Sequence, residues 1–452
     1  MKHLFFYFLI IFCNYNFCTH LYQKVSVIGT GYVGLVTGVC LAHIGHSVIC
    51  ADIDSKKING LQNGIVPIME EHLDELIASA VCAGNLTFTD DISAAVKNSD
   101  IIFIAVGTPA NADGESNVTA LYNVMHTISE NLDAYKVICI KSTVPLGVID
   151  ALYDYIATLG NNKNCDLVFN PEFLREGQAV NDFLHPNRII IGTKSLIAQE
   201  KMQQLYYPFI ERSVPFLVTD PMSAETIKYA CNGFLATKIA YINEIARLCE
   251  VSGANIVAVQ QGMMLDERIG KSFLNPGPGF GGSCFPKDCL ALAHIGDSCN
   301  IDLKIVKACF ASNESHKKSI VNKILHTLGN NPDNKTVTIL GLAFKAGTDD
   351  VRDSPAITII EKLLPHRVHI KAYDPVANAN MQKIFPHIEY CSSMMQALEK
   401  SDLVVILTEW EEFKYLPIEQ CMYKNNLIKI IDTRNILNGK LRYNHGEGDI
   451  VC

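Results

Sequence analysis

The chain has 452 residues, 48% hydrophobic and 19% charged, an ordinary globular composition with room for two or three domains. A formal net charge of −9 excludes a general nucleic-acid binder, which would carry a basic footprint, while leaving room for a local cationic pocket that holds an anion. The 16 cysteines follow no disulfide framework; Cys40, Cys50, Cys139 and Cys231 sit in apolar runs, as thiols of a reduced compartment do, and no paired C-x-x-C units offer a zinc site, so no metal is expected.

An apolar run, LFFYFLIIFC at 4–13, opens the chain. It resembles a signal-peptide core but is shorter than a usual membrane span and lacks an obvious small-residue cleavage site, so residues 1–21 read as a dispensable extension or a start placed too early in preference to an export signal, and no membrane attachment is expected. Residues 24–54 then read KVSVIGTGYVGLVTGVCLAHIGHSVICADID. A buried strand at 25–28 runs into Gly29-x-Gly31-x-x-Gly34, an apolar helix follows, and a second strand at 47–51 ends on Asp52. The glycines allow a tight turn, the close approach of a pyrophosphate and helix–strand packing, and the helix N-terminus then faces the phosphates. Asp52 stands where an acid bonds the adenosine ribose 2′-hydroxyl, which favours NAD over NADP.

Further strand-like runs at 101–106, 137–140, 167–169 and 189–191 end in small polar residues: Gly107-Thr108-Pro109, Lys141-Ser142-Thr143, Asn170-Pro171-Glu172 and Gly192. Alternation with helical stretches predicts a mostly parallel sheet whose strand C-termini form a cofactor rim. Residues 221–250 predict one long helix, with Ile227, Leu235, Ile239, Ile242, Ile245 and Leu248 at helical spacing and Ser223 or Asp220 as its cap. Such a helix suits a connector and a dimer interface. Lys228 and Asn232 share one of its faces; spacing alone leaves a solvated edge and a functional pair equally open.

Residues 276–289, PGPGFGGSCFPKDC, place Cys284 between a Gly-rich approach and the Lys287-Asp288 pair. The glycines let the backbone pass close to a ligand, and a lysine beside a thiol favours the reactive thiolate; a tight turn with a bystander thiol has the same pattern. From 336 a second α/β unit begins, with strand-like TVTILG (336–341), VHIKAYDP (368–375), LVVILTE (403–409) and KIIDTRN (429–435). It lacks GxGxxG, and Lys345, Arg352 and Arg434 are its candidate anion contacts. The fold class expected is α/β: two Rossmann-like doubly wound domains joined by a long central helix and a helical dimerisation region. The boundaries expected are an N-terminal extension over 1–21, an NAD-binding domain over 22–205, a central helical domain with the cysteine loop over 206–317, and a second Rossmann-like domain over 318–452.

GTGYVGL (29–35), KSTVPLG (141–147), NPEFLREGQAVNDFLHPNRIIIG (170–192), NPGPGFGGSCFPKD (275–288) and GLAFKAGTDDVRDSPA (341–356), in this order, resemble the UDP-glucose/GDP-mannose dehydrogenase family, in its UDP-glucose branch; the resemblance runs from about residue 24 to 437. It implies oxidation of the C6 alcohol of UDP-glucose to a carboxylate with reduction of two NAD⁺. Cys284 would attack the aldehyde-level intermediate, and the resulting thiohemiacetal would be oxidised to a thioester that water hydrolyses. Lys228 and Asn232 would hold the alcohol oxygen, Asp288 would assist proton transfer, and Thr143 and Glu176 would position the water and touch NAD.

Gly29, Gly31, Val33, Gly34, Asp52, Lys57, Thr108, Lys287 and Arg352 match further cofactor positions. Glu172, Phe173, Leu174, Arg175, Glu176, Phe273, Leu274, Asn275, Pro276, Gly277, Gly281, Lys345 and Arg434 match contacts to the UDP-sugar. Arg268 corresponds to a residue that reaches the partner subunit's substrate, which implies a homodimer or an assembly built on dimers, and the family implies a cytoplasmic enzyme. Three rivals are a sister enzyme acting on another nucleotide sugar, a catalytically dead nucleotide-binding scaffold, and a dehydrogenase that stops at the aldehyde. The N-acetyl-hexosamine branch usually carries His before the cysteine, where this chain has Ser283; a dead copy would have lost Cys284, Lys228 or Asp288; an enzyme that stops early would not need Cys284.

Overall fold

The computed structural model describes residues 22–109, 111, 114–160, 164–417 and 428–437. The extension expected over 1–21 and the last part of the expected third domain, 438–452, lie outside the described residues. Eight strands form the first sheet: β1 (Lys24–Ile28), β2 (Ser47–Ala51), β3 (Leu86–Thr89), β4 (Ile101–Ile104), β5 (Lys136–Ile140), β6 (Cys165–Phe169), β7 (Ile189–Gly192) and β8 (Phe216–Thr219). Their order is β3-β2-β1-β4-β5-β6-β7-β8. Every neighbouring pair is parallel except β6 and β7, which meet antiparallel at Phe169 and Gly192.

Continuous apolar sequence explains the central strands. IIFI in β4 and KVICI in β5 are buried along their whole length, as strands covered by helices on both faces must be. The strand order reverses between β1 and β4, the switch point at whose strand C-termini open α/β sheets bind their ligands.

The long helix runs Pro221–Ser252. Asp220, one of the two expected caps, fills the role: its Oδ1 accepts from Ser223 N at 2.9 Å. Gly253, at φ +78°, ends the helix in the left-handed region. Two further helices, Phe285–Ser298 and Lys304–Leu328, pack on it. A second sheet follows, built from β9 (Thr336–Leu340), β10 (His369–Tyr373), β11 (Glu389–Tyr390), β12 (Leu403–Ile406) and β13 (Lys429–Asp432), in the order β11-β10-β9-β12-β13 and wholly parallel.

Two elements cross the expected boundaries. The first sheet continues past 205 because β8 pairs in parallel with β7, and the helix Lys304–Leu328 runs through 317 without a break. Among the described residues no helix is long and apolar enough to cross a membrane.

Candidate active site

The glycine turn after β1 is shaped by what surrounds it. Gly29 has φ +98°, and a Cβ there would stand 2.6 Å from Ala105 O; a Cβ on Gly34 would stand 1.8 Å from Gly29 O. Both glycines are therefore required by packing. Gly31 differs, since a Cβ there meets nothing within 4 Å, so the turn is open on the face where a pyrophosphate would lie. Asp52 Oδ2 accepts from Thr30 N and Thr30 Oγ1 at 2.8 Å each and from Lys57 Nζ at 3.0 Å. Burial would raise its carboxyl, but the amides of Thr30 and Asp54, the Thr30 hydroxyl and Lys57 outweigh it and hold Asp52 below the ordinary value. An anionic carboxylate at this point accepts from a ribose hydroxyl and repels a 2′-phosphate. Across the crevice Thr108 Oγ1 donates to Thr143 O at 2.6 Å, which ties the ends of β4 and β5 together. Gly29, Gly31, Val33, Gly34, Asp52, Lys57, Thr108 and Thr143 thus gather at one end of the sheet, and the residues present fit a bound NAD.

Cys284 is the N-cap residue of the helix Phe285–Ser298. The loop leading to it is gripped on several sides. Asn243 of the central helix accepts from Gly277 N at 2.8 Å. Asn313 accepts from Phe280 N at 2.8 Å and donates back to Phe280 O at 3.1 Å. Burial pushes the His316 imidazole down to about 4, so its neutral ring donates Nε2–H to Gly277 O at 2.8 Å. From the second sheet's side, Gly282 N donates to Arg352 O at 2.9 Å. A Cβ on Gly281 would stand 2.2 Å from Asp353 O, so only glycine passes there.

A cavity of about 510 Å³ opens between the two sheets. Cys284 lines it together with Glu172, Phe173, Leu174, Arg175, Glu176, Lys228, Asn232, Phe273, Gly281 and Lys345 of the expected site. Lys228 Nζ donates to Glu172 Oε1 at 2.7 Å and to Glu172 O at 2.6 Å, with both side chains buried. Burial works against both charges, but their mutual attraction prevails: Glu172 is held below the ordinary carboxyl value and Lys228 above the ordinary amine value. Asn232 Nδ2 donates to Asp288 Oδ2 at 2.6 Å, and Lys287 Nζ to Asp288 Oδ1 at 2.5 Å.

Two electrostatic features differ from what the sequence led us to expect or went unseen in it. Lys287 does not bring Cys284 to a resting thiolate: burial and the Glu172 carboxylate push the thiol up to about 11, against the opposing pull of Lys228. Lys287 is committed instead to Asp288. Glu176 rises to about 7, through burial and the nearby Asp350 carboxylate, while Ser283 and Arg352 oppose the rise. Its Oε1 accepts from Ser283 Oγ at 2.8 Å and from Arg352 Nη2 at 3.2 Å, and its carbonyl accepts from Lys345 Nζ.

The remaining expected residues stand beside the cavity. Leu274 and Pro276 are buried in the loop, Asn275 Oδ1 accepts from Gln260, and Gly277 lies against the Arg434 guanidinium. Arg434 donates to Leu407 O at 2.9 Å and to Phe344 O at 3.2 Å. Arg268 is apart from the others: it pairs with Asp266 and its side chain is 89% exposed. Sequence reasoning missed Asn243, Asn313 and His316, which carry no motif and reveal themselves only by gripping the loop. It also did not select Lys141, Asn170, Arg188, Tyr206 and Phe344, which line the cavity; Lys141 and Asn170 do begin the polar triplets noted at two strand ends.

A glycine turn shaped for a dinucleotide on one sheet, a second doubly wound unit, and a thiol in the cavity between them match the architecture of a dinucleotide-dependent dehydrogenase. Three domains of the UDP-glucose/GDP-mannose dehydrogenase family match in order: the NAD-binding domain over residues 23–210, the central domain over 222–315 and the UDP-binding domain over 338–439. The UDP-glucose 6-dehydrogenase of Rickettsia typhi is 45% identical over 93% of this chain and 96% of its own length. The UDP-glucose 6-dehydrogenase TuaD of Bacillus subtilis is 44% identical over 92% of this chain and 90% of its own. The structure of a UDP-glucose dehydrogenase from Pyrobaculum islandicum superposes with a TM-score of 0.88 at 32% identity, covering 96% of this chain and 98% of that one. The chain belongs to the UDP-glucose/GDP-mannose dehydrogenase family, and its cofactor is NAD.

Proposed function

We propose that this chain oxidises UDP-glucose to UDP-glucuronate with two NAD⁺ per sugar. Its similarity to UDP-glucose 6-dehydrogenases over nearly the whole chain supports the substrate. The observation that carries the four-electron chemistry is Cys284 lining the same cavity as Lys228, Asn232 and Glu172. NAD bound at the glycine turn supplies the hydride acceptor. Lys228 and Asn232 would turn from Glu172 and Asp288 toward the sugar's C6 oxygen and stabilise the negative charge that develops there. Asp288, hydrogen-bonded to both Asn232 and Lys287, would take up and return protons.

The Cys284 thiol rests protonated, so it surrenders its proton as its sulfur adds to the aldehyde carbon. Addition yields a thiohemiacetal, its oxidation a thioester, and hydrolysis the acid. Glu176, with a carboxyl near 7, suits a base that activates water around neutral pH, with Thr143 as its partner in positioning. Glu172, Phe173, Leu174, Arg175, Phe273 and Lys345 would contact the UDP-sugar from the cavity wall, with Arg434 and the 274–277 loop behind it; Arg352 and Lys287 would serve the cofactor side.

The enzyme would work as a homodimer. Phe234, Tyr241 and Leu248 stand seven residues apart on one side of the central helix and are exposed, as is Arg268, whose role requires a partner's site. The described cysteines are all free thiols, which supports a reduced, cytoplasmic setting.

The test counts NADH formed per UDP-glucose consumed. Two would support the proposal, and one would mean that the reaction stops at the aldehyde. In Cys284→Ala, acid formation should vanish while NAD binding survives; normal acid formation would end the thioester mechanism.

A further inference from the structure

Lys141 is the first residue after β5, and nothing above gives it a part in the chemistry. Its backbone N donates to Ile104 O at 2.9 Å, so the sheet fixes where the side chain starts. The residue is 5% exposed, yet it lines the cavity that holds Cys284. Its Nζ donates to Asn170 Oδ1 at 3.1 Å and lies 6.0 Å from the centre of the Phe103 ring. The Asn170 amide cannot turn away. Its Nδ2 donates to Ile190 O at 2.8 Å and its Oδ1 also accepts from Tyr206 Oη at 2.7 Å. An ammonium has three hydrogens to donate, and burying one with so few acceptors is costly. A purely structural position would be served as well by methionine or leucine at lower cost.

We propose that Lys141 is a positioning residue for the reaction, acting through Glu172 to set the charge of the Glu172–Lys228 pair beside Cys284. The inference rests on the oxidation of UDP-glucose proposed above. The charged and titratable groups involved come from every element around it. Cys139 lies on the same strand, Tyr206 meets Asn170, Glu172 follows β6, Lys228 is on the central helix, and Cys284 and Asp288 face Lys228 from the cysteine loop and its helix. Two buried ammonium groups, Lys141 and Lys228, thus line the cavity wall with one buried carboxylate, Glu172. When Lys228 leaves Glu172 for substrate, Lys141 is the cation that keeps Glu172 ionised. Burial draws the Lys141 amine down to about 8, so it is charged at neutral pH and loses its charge in mild alkali.

The experiment compares Lys141→Met and Lys141→Arg with the wild type, following NADH formation from UDP-glucose and NAD⁺ from about pH 4, where an ordinary carboxyl is protonated, to about pH 10. Without a cation behind it, Glu172 takes up protons more readily, and so does Lys228. The acid limb of the kcat profile in Lys141→Met should move up by about one pH unit or more, with KM for UDP-glucose unchanged. The Met variant and the wild type should converge well above pH 8, where the wild-type lysine has itself lost its charge. Lys141→Arg, charged throughout, should keep the acid limb in place.

A Met variant that binds NAD, melts normally and has the wild-type profile would overturn the proposal. So would an Arg variant as impaired as Met, or loss of folding in Met that Lys141→Gln repeats and Arg does not restore, since either would make the role purely structural. Wild-type stoichiometry run alongside separates this failure from failure of the underlying reading: two NADH per sugar with an unshifted Met profile defeats only the role of Lys141.

Discussion

Replacing Lys228 by methionine tests whether the cavity's charge balance has been read correctly. The substitution keeps most of the aliphatic stem and removes an ammonium 2.7 Å from Glu172 Oε1 and 2.6 Å from Glu172 O. Glu172 is 6% exposed, so its carboxylate would be left buried with a single hydrogen bond, from Leu174 N, and the more distant Lys141 charge. Breaking one side of a buried pair costs about 3–5 kcal/mol. The cost depends on pH in a definite direction. In the variant, burial lifts the Glu172 carboxyl above its ordinary value of about 4.3. Destabilisation is then absent well below that value, grows as pH rises through the raised one, and levels off above it.

Adding Glu172→Gln removes the uncompensated charge, so Lys228→Met/Glu172→Gln should regain most of the lost stability at neutral pH while remaining inactive. Urea unfolding followed by far-ultraviolet circular dichroism is the assay, because the single tryptophan, Trp410, bonds Asp374 in the second sheet's domain and reports only there. A single variant as stable as the wild type at pH 8, or a double variant no better than the single, would refute the argument.

Alkylation of Cys284 by iodoacetamide in the ligand-free enzyme should be slow at pH 7 and climb about tenfold per pH unit toward a midpoint near 11; a midpoint near 7 would show that Lys287, not burial, governs the thiol. Gly281→Ala should cost at least tenfold in kcat and leave NAD affinity nearly intact, because its Cβ would stand 2.2 Å from Asp353 O, on the side away from the glycine turn, and a loop displacement of about 1 Å is enough for such a loss. Steady-state rates and NAD titration by calorimetry would separate the two effects.

What the sequence disclosed follows from how each signal arises. The fingerprint 29–34 was legible because its glycines answer to contacts within one strand–turn–helix unit. The central strands were legible because burial on both faces forces an unbroken apolar run. Strands β3, β8 and β11 escaped notice: LTFT and FLVT are short and partly exposed, and Glu389–Tyr390 pairs over only two residues. Cys284, Lys228 and Asp288 stood out from their local patterns, and the resemblance gave them their expected roles. Spacing alone could not choose between a functional face and a solvated edge for Lys228 and Asn232, because the choice depends on Glu172 and Asp288, each 56 residues from its partner. The thiol's charge was misjudged for the same reason. A neighbouring lysine in sequence says nothing about which carboxylate it meets, or about how much water the sulfur loses.

The cysteine loop explains why such distant groups must act together. Asn243, Asn313 and His316 hold it from the helical layer, whereas the Arg352 carbonyl and Asp353 hold it from the second sheet. Glu176 reaches the same loop from the first sheet through Ser283, and it also binds Arg352 and Lys345. Gly177 completes this contact, since a Cβ there would stand 2.2 Å from Gly347 O. The sulfur is therefore positioned by both sheets and by the helices between them. A displacement of either sheet relative to the other must strain the loop or part the Glu176 contacts, so the geometry around Cys284 holds only while the two sheets stay closed on the cavity. That dependence links the glycine turn on one sheet to the Cys284 thiol beside the other without any residue spanning the distance alone.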